Sequence, residues 1–230
     1  MRIAAVIPAR KNSKRIPKKN LMEFEGDHII NKVIRNLIKS NRDIEIFIST
    51  DDEDLVNLID QKVNFLSRPE SFSDDFSTVS DLIQWHFKND LSHYDFIIQT
   101  YCHAICIPAE TYEEALKKLE NSKKNSLLTI SKLDGPVEWT FKLIDGEIMP
   151  NFPLARNKRS QDLGISYIDS GQFYIYKKEW FLKELPDEYE SNYEWIELNY
   201  YQSNDLDEEH DIVKLKNNYD FSKKMLSSLE

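Results

Sequence analysis

Short β-branched runs alternate with stretches of helical apolar spacing through roughly the first half of the chain, and no other feature constrains the fold as strongly. Residues 3–7 form an apolar strand-like run, and residues 28–39 then carry Ile29, Ile30, Val33, Ile34, Leu37 and Ile38 at the spacing of one helix face. A β-branched strand follows at 44–49. Thr50-Asp51-Asp52 then caps a helix whose Leu55, Val56, Leu58 and Ile59 form a stripe expected to be buried. The pattern continues with a short strand at 64–66, a helix at 77–88, a strand at 96–99, a helix at 110–121 and a strand at 127–131. Strands that alternate with crossover helices imply an α/β fold: a Rossmann-like, mainly parallel sheet flanked by helices. Beyond Pro136 the texture changes to β-type runs at 138–143 and 171–176 around an Asp145-Gly146 turn, which predicts an inserted β-arm over about residues 137–170. Two further helical stretches, near 208–216 and 220–229, close the chain. No linker or low-complexity block divides the 230 residues, so a single domain spanning 1–230 is expected.

The formal charge is −10, from 30 basic against 40 acidic residues, yet positions 10–19 hold Arg10, Lys11, Lys14, Arg15, Lys18 and Lys19 with no acid among them. Such a cluster is tolerated when solvent screens it or when a polyanion occupies it. Its place, directly after the first strand, is where an open α/β sheet puts its ligand crevice. Asn12, Ser13 and Asn20 add short polar groups, and asparagine tolerates the left-handed backbone of a phosphate-wrapping turn. The G-x-x-x-x-G-K-[ST] pattern of a Walker loop is absent. The acidic balance argues against a general nucleic-acid binder. No apolar run approaches membrane-spanning length and no signal peptide is evident, so no membrane association and a cytoplasmic location are expected. Cys102 and Cys106, the only cysteines, read as buried thiols, because C-H-x-x-C has no second cluster to complete a closed metal site.

Ala9-Arg10, Ser13-Lys14-Arg15-Ile16-Pro17 and Lys19-Asn20 give A-R-x-x-S-K-R-I-P-x-K-N, which resembles the nucleotide-binding signature of the cytidylyltransferases that make CMP-activated nonulosonic acids. Lys11 and Asn12 stand where that signature has two glycines. Three further stretches match the family in order. Arg68-Pro69, followed by Ser77, Thr78 and Asp81, resembles its second nucleotide motif, although a turn plus a helix cap from Asp75 or Ser77 accounts for the same residues. Arg159-Ser160-Gln161-Asp162-Leu163 and Tyr167-Ile168-Asp169-Ser170-Gly171-Gln172-Phe173-Tyr174 resemble the pseudaminic acid branch. Aromatic alternation in the second is also what core packing of a strand produces. Asp205-Leu206-Asp207, with Asp211 beyond, resembles the stretch that supplies the divalent ion; taken alone it reads as an acidic helix N-terminus, and the basic loop tips it to the metal reading.

The resemblance implies transfer of CMP from CTP to the anomeric hydroxyl of a nine-carbon sugar acid, with pseudaminic acid favoured and pyrophosphate released. Sialic acid or another sugar acid is the alternative acceptor, and a non-catalytic nucleotide- or sugar-binding protein is the alternative class. It assigns Arg10 and Lys19 to the phosphates during catalysis, and Ala9, Arg10, Asn12, Ser13, Lys19, Asn20, Arg68, Ser77 and Thr78 to the nucleotide. It assigns Arg159, Gln161, Asp169, Gln172 and Tyr174 to the sugar, Asp205 and Asp207 to Mg²⁺, and the β-arm to a homodimer. Where relatives read P-T-A-P-F, this chain has Cys102-His103-Ala104-Ile105-Cys106, in a loop that borders the family's acceptor pocket.

Overall fold

The fold is that of a computed structural model in which residues 1–11, 13, 15–59, 62–74, 77–182 and 193–227 are described, 225–227 by backbone alone. In chain order the elements are β1 (Ile3–Pro8), a hairpin of β2 (Glu23–Phe24) and β3 (Asp27–His28), α1 (Ile29–Ile38), β4 (Ile44–Thr50), α2 (Glu53–Leu58) and β5 (Asn64–Ser67). Then come α3 (Val79–His86), β6 (Phe96–Thr100), α4 (Ala109–Glu120), β7 (Ser126–Lys132), β8 (Phe141–Ile144) and β9 (Glu147–Pro150). Last are β10 (Tyr167–Lys177), α5 (Lys178–Leu182), β11 (Tyr193–Leu198) and α6 (Glu209–Ser227). Among the described residues no helix is long and apolar enough to cross a membrane.

Seven strands form one sheet in the order β11-β7-β10-β6-β1-β4-β5. β1 pairs in parallel with β4 on one side and β6 on the other. The chain therefore runs outward through β4 and β5, then crosses back to β6, so the strand order reverses at β1. That reversal opens a crevice beyond the carboxyl end of β1, where Pro8 delivers the chain into the basic loop. β1 is an unbroken apolar run because both its faces are covered. Ile3, Ala5 and Ile7 pack in one cluster with Ile30, Val33, Ile34 and Leu37 of α1, while Ala4 and Val6 pack in another with Ile83, Phe87 and Leu91.

Three expectations change in detail. The sheet is parallel except for β10, which runs antiparallel to both β6 and β7, because the chain returns to it through the arm and not through a crossover helix. In α2 only Leu55 is buried, while Val56 and Leu58 are exposed, since this helix stops after six residues and leads to the edge strand β5. The two C-terminal helical stretches are one helix, α6. Asn218 and Tyr219, which look like a break, carry it inward: Asn218 bonds Asn204 and the Tyr219 ring meets the edge of Phe24. The arm contains the hairpin β8–β9, turning at Asp145 (φ 51°) and Gly146 (φ 85°), left-handed values that suit a two-residue hairpin turn. Its first strand begins at Phe141, because Val137–Trp139 forms a single 3₁₀ turn.

Candidate active site

The basic loop is held at its ends by backbone and amide bonds. Ala9 N donates to Ser49 O (2.8 Å), Thr50 Oγ1 to Ala9 O (2.7 Å), Lys11 N to Asp51 Oδ1 (2.7 Å) and Asn20 Nδ2 to Arg10 O (2.9 Å). Ala9 and the buried Asn20 thus serve as the loop's fastenings. The left-handed position falls at Lys18 (φ 53°, ψ 33°). Asn12 lies outside the described residues, as does Lys14.

Beyond this loop is a cleft of about 450 Å³ lined by Arg10, Ser13, Arg15, Lys19, Asn20, Arg68, Asp74, Ser77, Tyr101 and Asp207, among others. The two charged loops meet here. Arg15 Nη1 lies 2.7 Å from Asp207 Oδ2, and Lys19 Nζ lies 3.6 Å from Asp207 Oδ1 while donating to Leu206 O (2.6 Å). The Asp-Leu-Asp spacing has a local cause: Leu206 is buried, so its two flanking aspartates project outward, Asp205 exposed and Asp207 half-buried. Asp211 stays behind as a cap, its Oδ2 accepting from Asp207 N and Glu208 N. Those bonds hold its carboxyl below the usual range, against an opposing push from burial.

Arg68 reaches the cleft from the end of β5, but its Nε and Nη2 both donate to Phe72 O (3.0 and 2.6 Å), fixing the 3₁₀ turn at Glu70–Phe72. Burial lowers the pKa of this guanidinium. Ser77 lines the cleft and donates to Ser71 O (2.8 Å). Thr78 is the N-cap of α3, in a reciprocal box with Asp81. The anticipated cap at Asp75 lies outside the described residues.

A second cavity, about 570 Å³, adjoins the first through shared walls at Val79 and Tyr101, and its lining includes Thr78, Gln99, Asp169, Tyr174, Tyr176 and Trp180. β10 shapes it with a bulge: the register against β7 shifts between Asp169 and Tyr174, and Gly171 sits at φ 63°, a backbone state that favours glycine. Asp169 Oδ1 caps Gly171 N (2.9 Å), and its Oδ2 accepts from Tyr174 Oη (2.9 Å). Burial, followed by the charge of Asp169, pushes the Tyr174 phenol well up. Of the residues expected to face the sugar, Asp169 and Tyr174 line this cavity. Arg159 and Gln161 are exposed on the arm, where Arg159 pairs with Asp162 (2.9 Å). Gln172 is fully buried and lines neither cavity; its amide donates to backbone carbonyls of Ser170 and Asn204.

Arg15 is not among the residues that the resemblance assigns to a site, although it lines the cleft, and neither is Tyr101. It follows the end of β6 and accepts from Gln99 Nε2 (2.6 Å), and burial pushes its phenol up to about 12. Its position just past the carboxyl end of a central strand, beside the switch point, was the available signal. His103 stacks on it (centroids 5.4 Å apart, 8° between planes). Burial and the nearby Lys19 charge lower the His103 pKa, against Asp205 and a bond to the Gly171 backbone, so the ring is neutral. Cys102 and Cys106 are buried thiols, pushed by burial up to about 11 and about 12.

A family model described as cytidylyltransferase matches residues 4–225. The pseudaminic acid cytidylyltransferase of Campylobacter jejuni subsp. jejuni serotype O:2 is 28% identical over 193 residues, covering 80% of this chain and 82% of that protein. The N-acylneuraminate cytidylyltransferase A of Danio rerio is 27% identical over 183 residues, 77% of this chain and 42% of the relative. Among solved structures, a CMP:2-keto-3-deoxy-manno-octonic acid synthetase complexed with CTP superposes with a TM-score of 0.69 at 16% identity, covering 94% of this chain and 98% of that one. The 4-diphosphocytidyl-2C-methyl-D-erythritol synthase of Anaerococcus prevotii gives 0.64 at 12% identity, with 94% and 97% covered. At such identities the two superpositions speak for the fold.

Proposed function

The chain belongs to the cytidylyltransferase family, and on that premise we propose that it transfers CMP from CTP to the anomeric hydroxyl of a nonulosonic acid, with pseudaminic acid the preferred acceptor. The observation that carries this reading is the meeting of Arg10, Arg15 and Lys19 with Asp207 around one cleft at the switch point of the sheet. A triphosphate fits such a cleft, and the second cavity, which shares walls with it at Val79 and Tyr101, suits the acceptor. The hydroxyl oxygen attacks the α-phosphorus as the bond to the β-phosphate breaks, pyrophosphate leaves and the hydroxyl proton passes to solvent. Positioning and charge neutralisation supply most of the catalysis for such a transfer, so no protein nucleophile is needed.

Within the protein, Arg15 and Lys19 neutralise Asp207. On CTP binding they turn to the phosphates, which leaves the carboxylate for a cation. Mg²⁺ characteristically takes one or two carboxylates with phosphate oxygens and water, so Asp205 and Asp207 match it. Among the described residues no group of three or more metal-binding side chains gathers. When bound, Mg²⁺ supplies charge neutralisation at the phosphates.

We also propose a homodimer through the arm. Phe141, Leu143, Ile148, Phe152, Leu154 and Ile165 are all exposed there, Leu154 at 97%, an apolar display expected of an interface. In such a dimer Lys158 or Arg159 would reach the neighbouring site. The test of the reaction is pyrophosphate release from CTP with pseudaminic acid, N-acetylneuraminic acid and other sugar acids in turn. Release with pseudaminic acid above all supports the reading. Binding of CTP without release under any acceptor points to a non-catalytic protein.

A further inference from the structure

Gln172, Asn204 and Asn218 form a chain of buried amides that runs from β10 to α6 behind the acidic loop. Gln172 Nε2 donates to Asn204 O (2.5 Å) and to Ser170 O (3.0 Å). Both partners are carbonyl oxygens, which only accept, so the orientation of the Gln172 amide is forced. Asn218 Nδ2 donates to Asn204 Oδ1 (2.6 Å), and Asn204 Nδ2 donates to Tyr201 O (2.7 Å). Asn204 therefore has its carbonyl, its amide oxygen and its amide nitrogen all engaged. Gln172 and Asn204 are completely buried, and Asn218 nearly so. An amide bonded as fully as Asn204 holds a single geometry, because breaking any link strands a polar group away from water, whereas Gln172 is held through its Nε2 alone, its Oε1 being buried with no partner among the described residues.

The residue after Asn204 is Asp205. Two positions on, Leu206 is buried and its carbonyl accepts from Lys19 Nζ (2.6 Å), with Asp207 next. The acidic loop is thus anchored immediately before its first carboxylate and again between the two. We propose that Gln172 and Asn218 are positioning residues for the Asp205–Asp207 pair, acting through Asn204, and that Gln172 governs the cation and phosphate end of the site and not acceptor recognition. This rests on the reading of Asp205 and Asp207 as the Mg²⁺ carboxylates. The same motif that resembles an acceptor-binding stretch therefore does two jobs on opposite sides of its bulge. Asp169 and Tyr174 face the second cavity, and Gln172, between them in sequence, points the other way into the support of the acidic loop.

The test compares Gln172→Met, Asn218→Leu, their double variant and Asp207→Asn with the unaltered protein. Two Mg²⁺ midpoints are read at saturating CTP: one for thermal stabilisation without acceptor, one for pyrophosphate release. The acceptor KM is measured alongside. Removing a residue that orients a metal-binding group costs roughly tenfold to a hundredfold in metal affinity. Both single variants are expected to raise both midpoints by about that factor and to leave the acceptor KM within about twofold. The double variant is expected to fall short of the product, because both tethers act on Asn204. An unchanged midpoint in Gln172→Met with a raised acceptor KM overturns the proposal in favour of direct acceptor contact. If Asp207→Asn itself leaves the midpoints unmoved, the Mg²⁺ reading fails; if it moves them and the amide variants do not, only the positioning proposal fails. Should Gln172→Met not fold, Asn218→Ser removes the second tether without disturbing β10 and carries the same expectation.

Discussion

Replacing Lys19 by methionine separates the phosphate-binding role proposed for the basic loop from its structural one. The side chain is about one-fifth exposed, and its Nζ lies 3.6 Å from Asp207 Oδ1 and 2.6 Å from Leu206 O. At that separation two unit charges attract by about 5 kcal/mol at an effective dielectric of about 20, and by about 1 kcal/mol in bulk water. Asp207 is itself about three-tenths exposed and retains Arg15 at 2.7 Å, so the loss to folding belongs near the lower figure. A cation that bonds a phosphate is worth about 1.5–3 kcal/mol, which is roughly tenfold to a hundredfold in rate. Lys19→Met is therefore expected to lower kcat/KM for CTP by about that factor, with a melting temperature displaced by only a few degrees. Lys19→Arg, which keeps the charge but not the shape, is expected to recover part of the activity. The assay is pyrophosphate release against CTP concentration, paired with thermal unfolding of each variant. Full activity in a folded Lys19→Met protein would refute the reasoning. So would a loss of activity that matched the fraction unfolded, since that outcome leaves Lys19 only its bond to Leu206.

Asp207→Asn is expected to remove most turnover and to raise the Mg²⁺ requirement while circular dichroism stays unchanged, because an amide is a weaker ligand of a hard cation at almost the same volume. Leu154→Asp should convert a dimer to a monomer in light scattering, since it places a charge at the most exposed apolar position of the arm; a monomeric unaltered protein with full activity removes the dimer proposal. His86 is buried between Ser49 Oγ (2.7 Å) and Asp90 Oδ2 (2.8 Å), and burial lowers its pKa as it does that of His103. Their neutral forms contribute stability that is present above the unfolded value near 6.5 and is lost as pH falls below it, so the melting temperature should drop between about pH 6.5 and 4; a flat profile there contradicts the assignment. Tyr101→Ala should raise the KM for acceptor and CTP together, because this ring is a wall of both cavities, whereas an effect on one substrate alone would show that the cavities work independently.

The strand and helix alternation was legible because each element carries its own period: β1 is apolar on both faces because both are covered, and α1 buries the stripe that its spacing marks. Direction was not legible for β10, because local sequence reports which residues face a core but not how a strand is threaded beside its neighbours. The Asp145-Gly146 turn could be read since the left-handed backbone selects those residue types, while the single helix α6 could not, because its two asparagines look like a break until Asn204 is placed against Asn218.

The same distinction divides the site. Arg10, Lys19 and Asp207 meet around one cleft, and their residue types are readable as charges wherever they sit. A glutamine is different, because its amide serves a ligand and a backbone carbonyl equally well, and only burial tells which. Gln172 shares a strand with Asp169 and Tyr174, so its neighbours in sequence argue for the acceptor cavity. The bulge at Gly171 breaks that inference: an irregularity shifts which side of the strand faces which layer, so positions 169 and 174 come together while 172 turns inward. Tyr101 escapes for the opposite reason. Its type is that of a core residue, and it becomes a site residue only because the strand before it ends where the order of strands reverses. Candidate site residues marked by charge are thus carried by the sequence, and those marked by topology require the sheet.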